Sequence, residues 1–175
     1  VRDPKGLWWA LNAQRHLFHC DEVPVTVRLR GRARVENNGG HIAVGDRVLI
    51  DGRTVLVELV AHRGGRLSIG ASTFINYGVS ISAHESVEIG RGCLIGNYTL
   101  IMDNDYHDMR DHLLPGASAP IVLEDRVWLG ARVTVLKGVR IGENSVIGAG
   151  SVVTKDIPAG VFAAGMPARV IRELE

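Results

Sequence analysis

Residues 101–112 read IMDNDYHDMRDH, four aspartates, an arginine and two histidines in twelve positions. His107 is the strong general-base candidate, because an imidazole titrates near neutrality and can take a proton from a hydroxyl or an amine. A neighbouring carboxylate, Asp105 or Asp108, could hold the required tautomer and stabilise the imidazolium. A metal is the competing chemistry. His107 and His112 are five apart, His84 could supply a third imidazole, and such a set suits Zn, Co or Fe. A histidine among aspartates is also, more often than either, a solvated loop. Residue types alone leave the three readings open.

The elements that must position these groups are legible from periodicity. Leu123, Leu129, Val135, Ile141, Ile147 and Val153 recur every six residues. Two positions earlier stand Ile121, Val127, Val133, Val139, Ser145 and Ser151, and glycine follows at Gly130, Gly142 and Gly148. The rhythm also runs through Ile69, Ile75 and Ile81, then through Ile89, Ile95 and Ile101. The two runs differ in phase, so an extra pair of residues falls within Ser82 to Ser86. A period of six fits neither a helix nor one long strand. It fits short strands joined by corners, stacked so that neighbouring coils bury a common column. After Ile101 the next clean hexad begins at Ile121, which makes 102–120 a protruding loop, the place where a repeat carries a binding face. Cys93 occupies an inward hexad position and reads as packing, not as a nucleophile.

Leu7, Trp8, Leu11 and Phe18 have approximately helical spacing, and Asp3-Pro4 offers an N-cap and first-turn pair. Residues 4–19 are therefore expected to form a helix covering the open end of the stack, within an N-terminal cap of 1–24, with the coil domain spanning 25–175. Trp8-Trp9 reads as an apolar lid. The stretch from Val25 to Asn37 alternates apolar residues with Arg28, Arg30, Arg32 and Arg34, as an edge strand with one solvated face would. A formal charge of +1, a pI near 8.0 and 5% aromatic residues set up no field or stacking platform for nucleic acid or an anionic membrane. The longest apolar run, Val55 to Ala61, contains Glu58 and is far too short to cross a bilayer. No signal peptide is expected. Cys20 and Cys93 lack CxxC spacing, so reduced thiols and a cytoplasmic location are expected.

The stretch IGENSVIGAGSVVTKDIPAGVFAAGMPARVIRE (141–173) resembles the hexapeptide-repeat acyltransferases, strongly from Ile69 onward and weakly over His41 to Gly52. The resemblance implies an all-β fold, a left-handed parallel β-helix of three hexads per triangular turn. DNDYH is similar to the family's D-x-D-x-H segment, which makes His107 the catalytic base with Asp105 beside it. VWLGA (127–131) implies an oxyanion contact from the Ala131 N–H and an acyl pocket walled by Trp128. Gly148, Ala149, Thr154, Lys155, Arg169 and Arg172 fall where the family binds a coenzyme A ester, so acetyl-CoA or another acyl-CoA is the implied donor. In FINYGVSISAH (74–84), Asn76, Ser82 and His84 would line the acceptor cleft. Gly78 stands where the galactoside and maltose acetyltransferases carry a second asparagine, and Ala83-His84 where they carry acids. That difference argues against those two sugars and toward the sugar O-acetyltransferases of polysaccharide biosynthesis. The resemblance also implies a homotrimer with each site between two subunits.

Acetyl transfer to a sugar hydroxyl is thus the expected activity, by direct attack and without a metal. Transfer to the nitrogen of an amino (nucleotide-)sugar is the alternative, since the same base and groove serve both. A γ-type carbonic anhydrase shares the coil, but its paired ligands lie on the coil, whereas His112 falls in the bulge. A non-catalytic solenoid would show flat faces of repeated threonine, and Thr73 and Thr99 are isolated.

Overall fold

Each hexad folds as its period demands, into a short strand and a corner, in the computed structural model, which describes residues 4–174. Both inward positions are buried in successive hexads, as at Val127 with Leu129, Val133 with Val135 and Val139 with Ile141. Where the smaller inward residue is polar, its hydroxyl is satisfied by the backbone. Thr73 donates to the Gly90 carbonyl at 2.9 Å, Ser145 to Pro158 at 2.7 Å and Ser151 to Gly148 at 2.6 Å. The hydroxyls thus bond across the corners without leaving unpaired polar groups in the core.

Three faces result. The first stacks His41–Val44, Arg66–Ile69, Ser86–Ile89, Ile121–Leu123 and Arg140–Ile141. The second stacks Phe74–Ile75, Leu94–Ile95, Trp128–Leu129, Val146–Ile147 and Val161–Gly165. The third stacks Ser80–Ala83, Leu100–Met102, Thr134–Val135 and Val152–Val153. The long strand Leu49–Ala61 contributes its start to the second face and its end to the third. All these pairings are parallel. Coils approach so closely at the corners that a Cβ on Gly96 would meet the Gly130 carbonyl carbon at 2.5 Å. The glycines beside the aliphatics are therefore required by packing.

The N-terminal end departs from the sequence reading in three ways. The helix spans Pro4–His16, three residues shorter than expected, and Asp3 lies outside the described residues. Its inward side is built from Gly6, Ala13 and, just beyond the helix, Leu17, while Leu7, Trp8, Leu11 and Phe18 are exposed. The small residues let the helix approach the strand Arg28–Asn37 closely enough for Asn12 Nδ2 to donate to the Leu29 and Gly31 carbonyls at 3.1 and 2.8 Å. That strand is no flat edge. It pairs with both halves of Leu49–Ala61, with a register shift between Gly31 and Ala33, and Glu22 bridges to Ala43 on the first face. Residues 22–37 are thus the first coil, and the helix covers it. At the other end, Val161–Gly165 turns back through Ala168–Glu173 as an antiparallel pair that closes the stack.

Candidate active site

The loop leaves the third face after Met102, one residue later than the sequence suggested, and returns to the first face at Ile121. It folds back on itself through bridges between Asn104 and Ser118 and between His107 and Pro115. The Asn104 amide braces it by donating to Ser118 Oγ at 2.7 Å and to the Gly116 carbonyl at 3.2 Å. Within this frame His107 Nδ1 lies 2.9 Å from the His112 carbonyl oxygen. A carbonyl can only accept, so Nδ1 carries the proton and Nε2 is left as the basic nitrogen. The expected orienting carboxylate is elsewhere: Asp105 pairs with Lys137 Nζ at 3.0 Å, tying the loop to the adjacent coil. Asp108 accepts the Arg110 and Asp111 amides, which hold its carboxyl below the usual range.

At the root of the loop Asp103 is fully buried and accepts three backbone amides, His84 and Glu85 at 2.7 Å and Ser86 at 2.8 Å. This nest absorbs the extra residues between Ser82 and Ser86 and aims His84 at the loop. The His84 ring stacks on His62 with centroids 3.7 Å apart and meets Tyr106 edge-on at 5.1 Å. Ser82 Oγ lies 3.2 Å from His62 Nε2 and accepts from the Tyr106 hydroxyl at 3.1 Å. Burial lowers the His84 pKa, the adjacent His62 lowers it further, and Asp103 opposes both. The His84 Nδ1 is shielded and makes no hydrogen bond among the described residues. These groups form a compact set of donors and acceptors on the edge from which the His107 loop springs.

A second site runs along a different edge, between the second and third faces. It is a groove of about 700 Å³ floored by Gly96, Gly130, Ala131, Gly148 and Ala149, with Trp128 and Phe162 on its flank and Asn76 and Arg172 among its lining. Among the described residues the amides of Asn97, Ala131 and Ala149 enter none of the coil's hydrogen bonds, although the carbonyls of Asn97 and Ala131 accept at 2.8 Å. A Cβ on Gly148 would meet the Ala164 methyl at 2.9 Å and the Phe162 ring at 3.3 Å, so glycine keeps the floor flat. The site is apolar, with open N–H donors and one guanidinium, suited to a long flexible thioester with an anionic end.

The sequence-derived residues therefore divide. Trp128, Ala131, Gly148, Ala149, Arg172 and Asn76 come together in the groove. Ser82 and His84 sit instead with the His107 loop, and Asn76 Oδ1 is engaged by the Tyr77 amide at 2.9 Å. Thr154, Lys155 and Arg169 do not line the groove, and the Arg169 Nη1 donates to the Ala168 carbonyl. His62, Tyr106 and Phe162 are the participants that sequence reasoning passed over. Phe162 was within reach, because its hexad faces Val146 and Trp128 across the ladder. Cys93 is buried, its thiol pushed up to about 11 by burial, which removes it as a nucleophile. Among the described residues no three of His, Cys, Asp or Glu converge as metal ligands.

Residues 120–155 match the family model described as bacterial transferase hexapeptide (six repeats). The chain is 44% identical over 116 residues to the galactoside O-acetyltransferase of Escherichia coli K12, covering 63% of this chain and 56% of that protein. It is 48% identical over 63 residues to a tetrahydropyridine dicarboxylate N-acetyltransferase of Clostridium perfringens, covering 36% of this chain and 27% of that protein. The chain thus spans about half the length, or less, of the curated relatives it matches. Among solved structures, a hexapeptide-repeat-containing acetyltransferase of Vibrio cholerae complexed with acetyl coenzyme A is 32% identical, with a TM-score of 0.61 over 79% of this chain and 71% of that one.

Proposed function

The chain belongs to the hexapeptide-repeat acetyltransferases, and from that premise we propose that it moves an acetyl group from acetyl-CoA to a hydroxyl of a sugar-containing acceptor. The observation that carries this reading is the division of the chemistry between two edges of the prism. The groove with open amides can take a thioester, while the His107 loop and the Ser82–His62–His84–Tyr106 cluster can take a polyol. His107 Nε2 removes the proton from the acceptor hydroxyl as its oxygen attacks the thioester carbonyl. The Ala131 N–H receives the oxyanion, and coenzyme A leaves with no acyl-enzyme. Trp128 and Phe162 shield the acyl group from water.

Because base and groove lie on separate edges, one chain offers two half-sites. A second copy whose loop reaches this groove completes a site, and three copies around an axis satisfy every half-site. The outward residues of the second face support such a cover. Phe74, Leu94, Trp128, Val146 and Phe162 form an apolar ladder of directly paired positions, which is more than a solvated sheet face ordinarily carries. An active monomer in gel filtration would refute the shared site.

Transfer to nitrogen is the second reading, favoured by the similarity to an N-acetyltransferase over 63 residues. Thiol release from acetyl-CoA, screened against simple glycosides, nucleotide sugars and their amino derivatives, separates the two. Turnover confined to amines would replace the hydroxyl reading, and silence with every sugar would remove the sugar.

A further inference from the structure

On the groove edge, successive coils fill the same corner position with Gly78, Tyr98, Arg132 and Gly150, at φ of 68°, 58°, 58° and 71°. The two long side chains therefore stand side by side, with a glycine on either flank. A Cβ on Gly78 would meet the Tyr98 ring at 2.6 Å, so glycine there is what lets the ring lie over that corner. Tyr77 meets the ring edge-on with centroids 5.4 Å apart, and the Arg132 guanidinium lies 5.7 Å from its centroid. Contact with a π face steadies a guanidinium and spends none of its N–H donors. Among the described residues Arg132 makes no ion pair, and its side chain enters no hydrogen bond. Arg91 and Arg126, at corners of the neighbouring edge, are instead paired with Asp125 and Glu143. No acid lines the groove itself.

We propose that the acceptor is an anionic saccharide, whose carboxylate or phosphate group is gripped by the Arg132 guanidinium beside the reacting hydroxyl. The inference rests on the acyl-transfer reading and narrows its acceptor. Arg132 directly follows Ala131, the residue whose N–H is assigned to the oxyanion. From Ala131 the groove runs over Gly148 and Ala149 toward Arg172, so that direction is taken by the donor's arm and its anionic end. The acceptor is left the other side, over Asn97 and Tyr98, where the guanidinium stands with its fork of donors open. A planar fork of that kind matches the paired oxygens of a carboxylate or a phosphate. The loop that brings the base offers little to oppose an anion. Asp103, Asp108 and Asp111 are engaged by backbone amides, and Asp105 by Lys137. The exposed Glu85 at the foot of the loop has no such partner among the described residues, which sets the anionic group on the Arg132 side of the acceptor.

The test is thiol release from acetyl-CoA by the whole chain with matched acceptors: methyl glucoside, methyl glucuronoside and glucose 1-phosphate, together with their galactose counterparts. An anionic acceptor exceeds its neutral counterpart by about tenfold or more in kcat/KM, and the carboxylate and phosphate arms show which anion is used. Arg132→Gln abolishes that preference by raising the acceptor KM about ten- to a hundredfold, with the KM for acetyl-CoA unchanged. Arg132→Lys keeps part of it, because a point charge remains without the fork. Tyr98 is a positioning residue: Tyr98→Ala raises the acceptor KM by about threefold with kcat retained, and Tyr98→Phe, which keeps the ring, behaves as the parent. Equal or better use of the neutral glycosides by the parent overturns the proposal while sustaining acetyl transfer to sugars. Silence with every sugar overturns both. A raised KM for acetyl-CoA in Arg132→Gln assigns the guanidinium to the donor and also overturns the proposal.

Discussion

The two edges that border the third face differ in which backbone amides they cap. On the loop edge, Asp103 is buried beneath the chain and takes three amides at once, and Asp156 takes the Arg140 amide at 2.8 Å. On the groove edge Asn76 Oδ1 caps the Tyr77 amide, whereas the amides of Asn97, Ala131 and Ala149 have no internal acceptor among the described residues. The remaining edge resembles the first: Asp125 accepts the Arg91 amide, Glu124 accepts that of Glu143, and both carboxyls are held below their usual range by those amides. A corner amide left open next to corners that are capped is a vacancy for a ligand's oxygen, because buried or half-buried donors are otherwise satisfied from within. Uncapped corner amides also occur at Ala71, Asp125 and Lys137 among the described residues, so the groove is set apart by combining open amides with a flat glycine floor and an aromatic flank.

Four comparisons can break this contrast, from the largest effect to the smallest, the first of them pairing two variants. His107→Ala should lower kcat by about 10²–10⁴-fold with donor binding unchanged. Asp105→Asn should cost less than tenfold, since a carbonyl and not this carboxylate holds the ring; an equal loss in both variants would restore Asp105 as the orienting group. Next, Ala131→Pro deletes one open amide at the first central position of a corner whose next residue, Arg132, has φ of 58°. Proline is suited to that position. The variant should lose about 10²–10³-fold in kcat with coenzyme A affinity and melting temperature retained; unchanged turnover would remove Ala131 from the oxyanion site.

On the capped edge the same kind of change should read out in stability. Asp103→Ala strands three part-buried amides and should cost about 2–4 kcal/mol, seen as a fall of about 5–15 °C in Tm. A Tm within error of the parent would mean that water caps the nest as well as the carboxylate does. The smallest effect concerns pH. The His84 pKa is lowered from 6.5, so the unfolded chain binds its proton more readily than the folded one. Its contribution to stability is complete above pH 6.5 and is lost as pH falls from there through the lowered value. Tm should drop over that window, and less steeply in His84→Gln; identical slopes would take His84 out of the acid response.

The contrast also explains what could be read from the sequence. Hexads announce themselves because two inward side chains and a close-approach glycine repeat at fixed spacing, so the coil and the loop boundaries within one residue were legible, whereas Ala131, Gly148 and Ala149 were singled out only by the family resemblance. The orienting partner of His107 was not, because a backbone carbonyl has no residue type. The helix was misassigned in its facing, not its existence. Large apolar residues suggested the buried side, but close packing on the first coil needed Gly6 and Ala13 there and sent Leu7, Trp8 and Leu11 outward. Residues 22–37 were hard to recognise as a coil, since arginines occupy its outward positions and the register shifts at Gly31.

Ile121 pairs with Val87, and Leu123 with Ile89, as though the chain between Met102 and Ile121 were not there. The stack neither bends nor changes register to admit the eighteen residues of 103–120. For descent this makes the 103–120 loop a cassette. It can lengthen, shorten or be exchanged without retuning the scaffold, so under the proposed function new acceptor preferences would arise in one loop while the groove is inherited intact.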